Sequence, residues 1–308
     1  MKDFAGKIAV ITGGGTGTGR ELARQLTAEG CSVAMCDISL EAMAETKRLA
    51  LADAPQGTQI HTHQADVSLE AQIQGWAAKV QTDLQTDKIH LLFNNAGIAG
   101  GGSMITSPRG DWERTFNVCW GGVYYCTRAF LPMLMKAPEG HIVNTSSING
   151  FWASVGPGRP HTAYSAAKFA VKGFSEALMN DLAVNAPHIK CSVVMPGHIG
   201  TEIVANTMKL NNSNPGDARS LLKARGLDTS AFTDEQVAEL MGAGFRDSAP
   251  MSAAEAARVI LDGVKAGTWR ILVGKDAEYL DKAVRANPEE VYSQGFFDHL
   301  TAQQGWRI

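Results

Sequence analysis

The stretch Ile8-Ala-Val-Ile-Thr-Gly-Gly-Gly-Thr-Gly-Thr-Gly-Arg-Glu-Leu-Ala-Arg-Gln-Leu26 decides the fold. It opens with a short apolar run, IAVIT (8–12), bounded by turn residues, which reads as a strand buried on both faces. It closes with a helical pattern that begins at about residue 17. Between them lies a glycine-rich turn, Gly13 to Gly19. Glycine lets a chain reverse sharply, and it lets backbone N–H groups come close to a ligand. The order strand, glycine turn, helix is the opening of a βαβ unit.

Working outward, the same alternation recurs. Apolar runs at 32–37, 59–64, 89–94, 141–146, 190–195 and 270–274 predict strands. Helical patterns fall at roughly 17–29, 40–53, 69–86, 108–136, 163–185 and 252–266. Strands alternating with helices predict an α/β, doubly wound Rossmann-type parallel sheet with helices on both faces. In 108–136, Trp112, Phe116, Cys119, Val123, Cys126, Phe130 and Met133 step by alternating fours and threes, which predicts one continuous apolar helix face. Ser107 and Pro108 suit its cap and first turn. Two regions break the rhythm: a Gly/Pro-rich loop at 150–163, and 197–250, whose clearest break is 211–217. Long connections in compact domains are often lids or binding loops, so 197–250 is expected to be a substrate lid. The expected organisation is one domain over 1–275 and a C-terminal extension, 276–308, packed on the domain or a neighbouring subunit.

Composition narrows the function classes. The 308 residues carry a net charge of -3 and 44% hydrophobic residues. No basic stripe favours nucleic acid or an anionic membrane. Five cysteines without a C-x-x-C pair suggest a reducing cytoplasm. The first strand begins at Lys7, leaving no recognisable leader, and no apolar run is long enough to span a bilayer. His61 and His63 alternate on one strand, but no further ligand stands nearby, so no metal is expected.

A glycine turn at the N-terminus of a helix is a site for a pyrophosphate. Gly13, Gly17 and Gly19 are its informative positions, with Gly15, Thr16 and Thr18 between them. The second strand ends in Asp37, where a carboxylate can accept hydrogen bonds from both adenosine ribose hydroxyls and repel a 2′-phosphate. No Arg or Lys lies in the turn or directly after Asp37, so NAD is expected over NADP. Tyr164-Ser-Ala-Ala-Lys168 places a phenol and an ammonium four apart on one helix face. A nearby positive charge favours phenolate, so Tyr164 could exchange a proton at an alcohol or carbonyl oxygen.

Taken together, Thr12-Gly13-x-x-x-Gly17-x-Gly19, Asp66-Val67, Asn94-Asn95-Ala96-Gly97, Ser146-Ser147, Tyr164-x-x-x-Lys168 and Pro196-Gly197 resemble the classical short-chain dehydrogenases/reductases over about residues 5–275. The resemblance implies a sheet of about seven strands and a nicotinamide-dependent oxidoreductase. It implies Tyr164 as acid/base, Lys168 on the nicotinamide ribose and Ser147 on the substrate oxygen. It places Asp66 and Val67 at adenine, Asn95 near a ribose, and Ile199 and Thr201 near the carboxamide. It also implies a small-molecule substrate and a homodimer or homotetramer through the long helices. Phe151, Trp152, Met195, Ile203, Val204 and Met208 flank the expected pocket and suggest an apolar or aromatic secondary alcohol or ketone. A dinucleotide-binding sensor without turnover is the rival, disfavoured by the intact Ser147, Tyr164 and Lys168. An epimerase or dehydratase is disfavoured by the glycine spacing.

Two features depart from the family. The Ser147-to-Tyr164 gap is longer than usual, so an insertion carrying Phe151, Trp152 and His161 lies beside the site. His161 is expected to be a loop histidine rather than a catalytic acid. The family's helical Asn, counted from Trp112 and back from Gly122, falls on Cys119 rather than Asn117. Those two positions lie roughly 200° apart on a helix of 3.6 residues per turn.

Overall fold

A computed structural model describes residues 1–210, 219, 222–223 and 226–304. The break at 211–217 and Trp306 lie outside the described residues. The elements follow the expected alternation. Strand β1 (Ile8–Thr12) leads to helix α1 (Gly17–Ala28), then β2 (Ser32–Asp37), α2 (Leu40–Ala52), β3 (Ile60–Gln64), α3 (Glu70–Asp83) and β4 (Leu91–Asn94). After β4 come α4 (Arg109–Phe116), a π-helical turn (Asn117–Gly121), α5 (Gly122–Leu134), β5 (Gly140–Thr145), α6 (Thr162–Asn185) and β6 (Ile189–Pro196). The short β7 (Ile199–Gly200) pairs with β8 (Met251–Ser252), and α7 (Ile203–Leu210) and α8 (Asp234–Asp247) lie between them. The chain continues with α9 (Ala253–Ala266), β9 (Arg270–Val273), α10 (Lys275–Ala286) and α11 (Gln294–Gln304).

Seven strands form one parallel sheet in the order β3-β2-β1-β4-β5-β6-β9. The strand order reverses between β1 and β4, and open α/β sheets bind ligands at the carboxyl ends of strands at such a switch point. Side chains alternate to two buried layers. Ile11, Met35 and Phe93 pack with Leu22, Leu26, Ile260 and Val264 on one face. Val10, Cys36 and Leu92 pack with Trp76, Phe130 and Leu182 on the other. Trp76 meets Phe130 edge-on with ring centroids 4.9 Å apart, a favoured aromatic geometry. All five cysteines are buried free thiols. Among the described residues no helix is long and apolar enough to cross a membrane.

The apolar face predicted for 108–136 exists, but the helix is not uniform. The π turn at Asn117–Gly121 interrupts it, and Pro108 rather than Ser107 stands at its N-cap, without a side-chain bond. A π turn adds one residue to the hydrogen-bonded loop and so re-aims the side chains that follow. From Lys275 to Gln304 the chain forms α10, a short 3-10 turn (Glu290–Tyr292) and α11. Ala277, Leu280, Val291, Phe297 and Leu300 bury a third apolar cluster with Ile148 and Trp152.

Candidate active site

The cleft begins with the joint between β1 and β4. The Thr12 hydroxyl donates to the Phe93 carbonyl (3.4 Å) and accepts from the N–H groups of Asn95 (2.9 Å) and Ala96 (3.0 Å). The Asn95 side-chain amide donates back to the Thr12 carbonyl at 3.1 Å. These bonds hold the Asn95-Ala96-Gly97 segment against the glycine turn. Gly13 (φ +67°) and Gly17 (φ +54°) occupy the left-handed region, which costs a side-chain-bearing residue about 1–2 kcal/mol. A Cβ on Gly19 would overlap the Gly13 carbonyl oxygen, so the turn and α1 pack only if that position is glycine.

A cleft of about 660 Å³ runs from the end of β2 to α6, within the usual size of a small-molecule site. Its walls include Gly13, Thr16, Gly17, Thr18, Asp37, Asp66, Val67, Asn95, Ser147, Tyr164, Lys168, Ile199 and Thr201. The structure brings these positions, distant in sequence, into one cavity. Gly15 and Gly19 are not on its walls. Gly15 instead donates its N–H to Asp37 Oδ2 (3.0 Å), while Asp37 Oδ1 accepts from the Ser39 N–H (3.0 Å). The turn therefore orients the Asp37 carboxylate.

Arg20 was missed in the sequence. It follows Gly19 directly and reaches the same wall, but its guanidinium is held on the Gly15 carbonyl (2.7 and 3.1 Å) and on the Thr46 hydroxyl (3.0 Å). Glu41 and Glu45, one turn apart on α2, also line this wall beside Asp37, with Glu45 paired to Arg48 at 2.7 and 2.8 Å. Their spacing was the available signal, because it repeats on the helix face that follows the acidic strand end.

At the other end of the cleft, Lys168 Nζ donates to the Thr145 carbonyl at 2.8 Å and lies 5.3 Å from the centre of the Tyr164 ring. The Ser146 hydroxyl donates to the Lys168 carbonyl at 2.7 Å, tying α6 to the end of β5. The Ser147 hydroxyl accepts from the Asn149 N–H at 3.1 Å. The entry to α6 is clamped from the β4 side. Thr162 donates to the Gly102 carbonyl through both its N–H and its hydroxyl (2.9 Å each), and Trp112 Nε1 donates to the Thr162 hydroxyl at 3.0 Å.

Burial dominates the electrostatics. It pushes the Tyr164 phenol above its ordinary value; the nearby Cys119 adds to the rise and a hydrogen bond with Ser147 opposes it. The resting phenol is thus neutral. Burial also lowers Lys168, with Cys119 opposing. Burial takes the His161 imidazole down to about 4. The His161 ring rests against the Tyr164 ring, with centroids 4.8 Å apart, so the inserted loop does reach the phenol.

Cys119 is buried and its thiol donates to the Ile98 carbonyl at 3.2 Å, whereas Asn117 is exposed. The position counted from Trp112 is the one that faces the site. The residues expected to make an apolar pocket behave differently. Ile203 lines the cleft, but Phe151, Trp152, Met195, Val204 and Met208 do not. Trp152 is fully buried in the C-terminal cluster, its Nε1 donating to the Val291 carbonyl at 3.0 Å. Phe151 packs against the same cluster, and Met195 is buried within β6. The inserted aromatic rings found apolar partners in the tail helices, which removes most of the sequence argument for an aromatic substrate.

The family model described as short chain dehydrogenase matches residues 7–212. A Mycobacterium tuberculosis protein named as an oxidoreductase, SadH, is 36% identical over 285 residues, 92% of each chain. Levodione reductase of Leifsonia aquatica is 33% identical, covering 70% of this chain and 78% of its own. Meso-2,3-butanediol dehydrogenase of Serratia marcescens is 31% identical over 84% of this chain and 94% of its own. Among solved structures, a short-chain dehydrogenase/reductase of Burkholderia phymatum in complex with NAD superposes with a TM-score of 0.77 at 28% identity, covering 94% and 96% of the two chains. By its sheet, its glycine turn and these matches, the chain belongs to the short-chain dehydrogenase/reductase family of oxidoreductases.

Proposed function

We propose that the protein is an NAD(H)-dependent dehydrogenase or reductase that interconverts a secondary alcohol and a ketone. The observation that carries this reading is the presence of Ser147, Tyr164 and Lys168 on one wall of the cleft whose far end holds Asp37. The cavity fits a dinucleotide. Gly13 and Gly17 leave the turn amides open, and a Cβ on Gly17 would lie 3.1 Å from Thr201 on the opposite wall. Asp37 and Asp66 would hold the adenosine half, Asn95 and Lys168 the nicotinamide ribose, and Ile199 and Thr201 the carboxamide. When bound, the nicotinamide supplies the hydride acceptor or donor.

The chain's own residues handle the oxygen. Ser147 orients the substrate oxygen by hydrogen bonding. A neutral Tyr164 gives its proton to a ketone oxygen during reduction and is left as phenolate; in oxidation that phenolate takes the proton from the alcohol. Lys168, charged and fixed by the Thr145 carbonyl, favours the phenolate left behind. The acidic group of Asp37, Glu41 and Glu45 supports NAD over NADP, because a 2′-phosphate would meet like charges. Helices α7 and α8 over the cleft support the reading of 197–250 as a lid. The exposed Tyr124 and Phe169 on α5 and α6 support pairing of copies through that face.

The test is the change in reduced-nicotinamide absorbance on incubation with NAD⁺ or NADP⁺ and a panel of secondary alcohols, and in reverse with ketones. Dicarbonyls and vicinal diols belong in the panel because the relatives are named for such compounds. Turnover with NAD⁺ preferred is expected; NADH binding without turnover across the panel would support a sensor instead.

A further inference from the structure

The opposite wall of the phosphate turn carries a carboxylate that the proposed reaction does not use. Glu202 lines the cleft beside Thr201. Its Oε2 is buried and has no hydrogen-bond partner, and Glu202 makes no ion pair among the described residues. That oxygen lies 3.6 Å from where a Cβ on Gly17 would stand. Gly17 is the first residue of α1, whose N-cap Thr16 makes no side-chain cap and whose first turn holds no acidic residue. The amides at this end carry partial positive charge and attract an anion.

The geometry around Glu202 is fixed from its own side. Its carbonyl accepts from the Asn206 N–H at 2.8 Å in the first turn of α7. The Asn206 side chain then crosses to the turn and donates to the Thr16 hydroxyl at 3.1 Å. The Thr207 hydroxyl accepts from the Ala99 N–H at 2.9 Å. The start of α7 is thereby pinned across the glycine turn, with Glu202 Oε2 on the Gly17 side of the cleft.

We propose that the Glu202 carboxylate is a built-in competitor for the phosphate turn. It lies against the N-terminus of α1 in the free chain and weakens dinucleotide binding by like-charge repulsion of the pyrophosphate. The inference rests on the cofactor reading above. Glu202 is half-buried, with only its Oε2 shielded from water and without a hydrogen-bond partner, so no bond of that oxygen to the protein holds it in the cleft. The consequence is a cofactor affinity set below what the turn alone could reach, which favours exchange of the dinucleotide between turnovers.

The experiment measures dissociation constants of NADH, ADP-ribose and adenosine by fluorescence and calorimetry for the wild type, Glu202→Gln and Glu202→Ala. Removing one like charge at this distance is expected to tighten NADH and ADP-ribose about tenfold in both variants. Adenosine, which lacks the pyrophosphate, should bind with unchanged affinity. Unchanged or weaker NADH binding, or an equal gain for adenosine, would overturn the inference while leaving the cofactor reading intact. Failure of the wild type to bind NADH, NADPH or ADP-ribose at all would overturn both. Thermal melting of the free variants checks that they are folded.

Discussion

Lys168 Nζ sits on the Thr145 carbonyl at 2.8 Å and 5.3 Å from the centre of the Tyr164 ring, so one residue of α6 links the end of β5 to the phenol. The ammonium is buried but has a carbonyl partner, so it is held in place rather than left free to seek water. The phenol is left neutral by its burial, with the fixed charge close enough to stabilise the phenolate as it forms.

Tyr164→Phe removes only the hydroxyl. Turnover should fall by about 10²–10⁴-fold, the usual contribution of a positioned acid/base, while the NADH dissociation constant changes by less than about threefold. Steady-state rates and a binding titration on the same sample separate the two. Retained turnover would remove Tyr164 from the chemistry.

Asp37→Asn keeps the side chain's size and removes its charge. Asp37 accepts from Gly15 with one oxygen and from Ser39 with the other; Asn can keep only one of these bonds, because its amide nitrogen is a donor, so thermal melting of the variant accompanies the kinetics. The ratio of kcat/KM for NAD⁺ to that for NADP⁺ should drop by about tenfold or more. An unchanged ratio would mean that Glu41 and Glu45, or the shape of the turn, set the preference.

Cys119→Ala tests whether the thiol takes part in proton transfer. The thiol's bond to the Ile98 carbonyl is structural, and its removal should cost about 1 kcal/mol of stability. Turnover should stay within about threefold of wild type if the π turn's backbone is what matters. A loss beyond a hundredfold, with NADH binding intact, would instead assign the thiol to the relay.

His141 gives the fold an acid-sensitive element. It is 1% exposed, with Nε2 2.7 Å from the Ser192 hydroxyl, and burial lowers its pKa from 6.5 to about 3. Between these values the unfolded chain binds a proton that the folded chain does not, so stability falls as pH drops below 6.5 and stops falling near 3. From pH 7 to pH 5 this one group should cost about 2 kcal/mol. Urea unfolding at both pH values should show it, and a folded His141→Gln should show a shallower loss.

Trp152→Ala should destabilise the chain by about 3–5 kcal/mol, because it empties a fully buried ring site and loses the bond to the Val291 carbonyl. Its effect on the NADH dissociation constant should be small, since the ring faces the tail and not the cleft. Denaturant unfolding and a binding titration test the two halves separately.

The sheet, its alternation with helices and the family were legible because their signals are local. A doubly covered strand must be a short apolar run, a glycine turn must hold glycine where φ is positive, and Tyr164 and Lys168 must be four apart to share a face. Cys119 was found by counting along the chain from Trp112 and back from Gly122, a count that the π turn leaves unchanged although it alters the angles between side chains. The apolar pocket was not legible. Phe151 and Trp152 read as pocket lining because they adjoin the site in sequence, but burial sends them to whichever apolar surface is nearer. That surface is built by Ala277, Leu280, Val291, Phe297 and Leu300, far along the chain. Arg20, its charge spent on the Gly15 carbonyl, and Glu202, aimed at Gly17 from the opposite wall, are likewise products of tertiary approach. Sequence by itself determined which chemical groups the protein owns and the local geometry of each element. Only the tertiary structure decided which of them face one another, because long-range packing, not local spacing, sets the partners of a side chain.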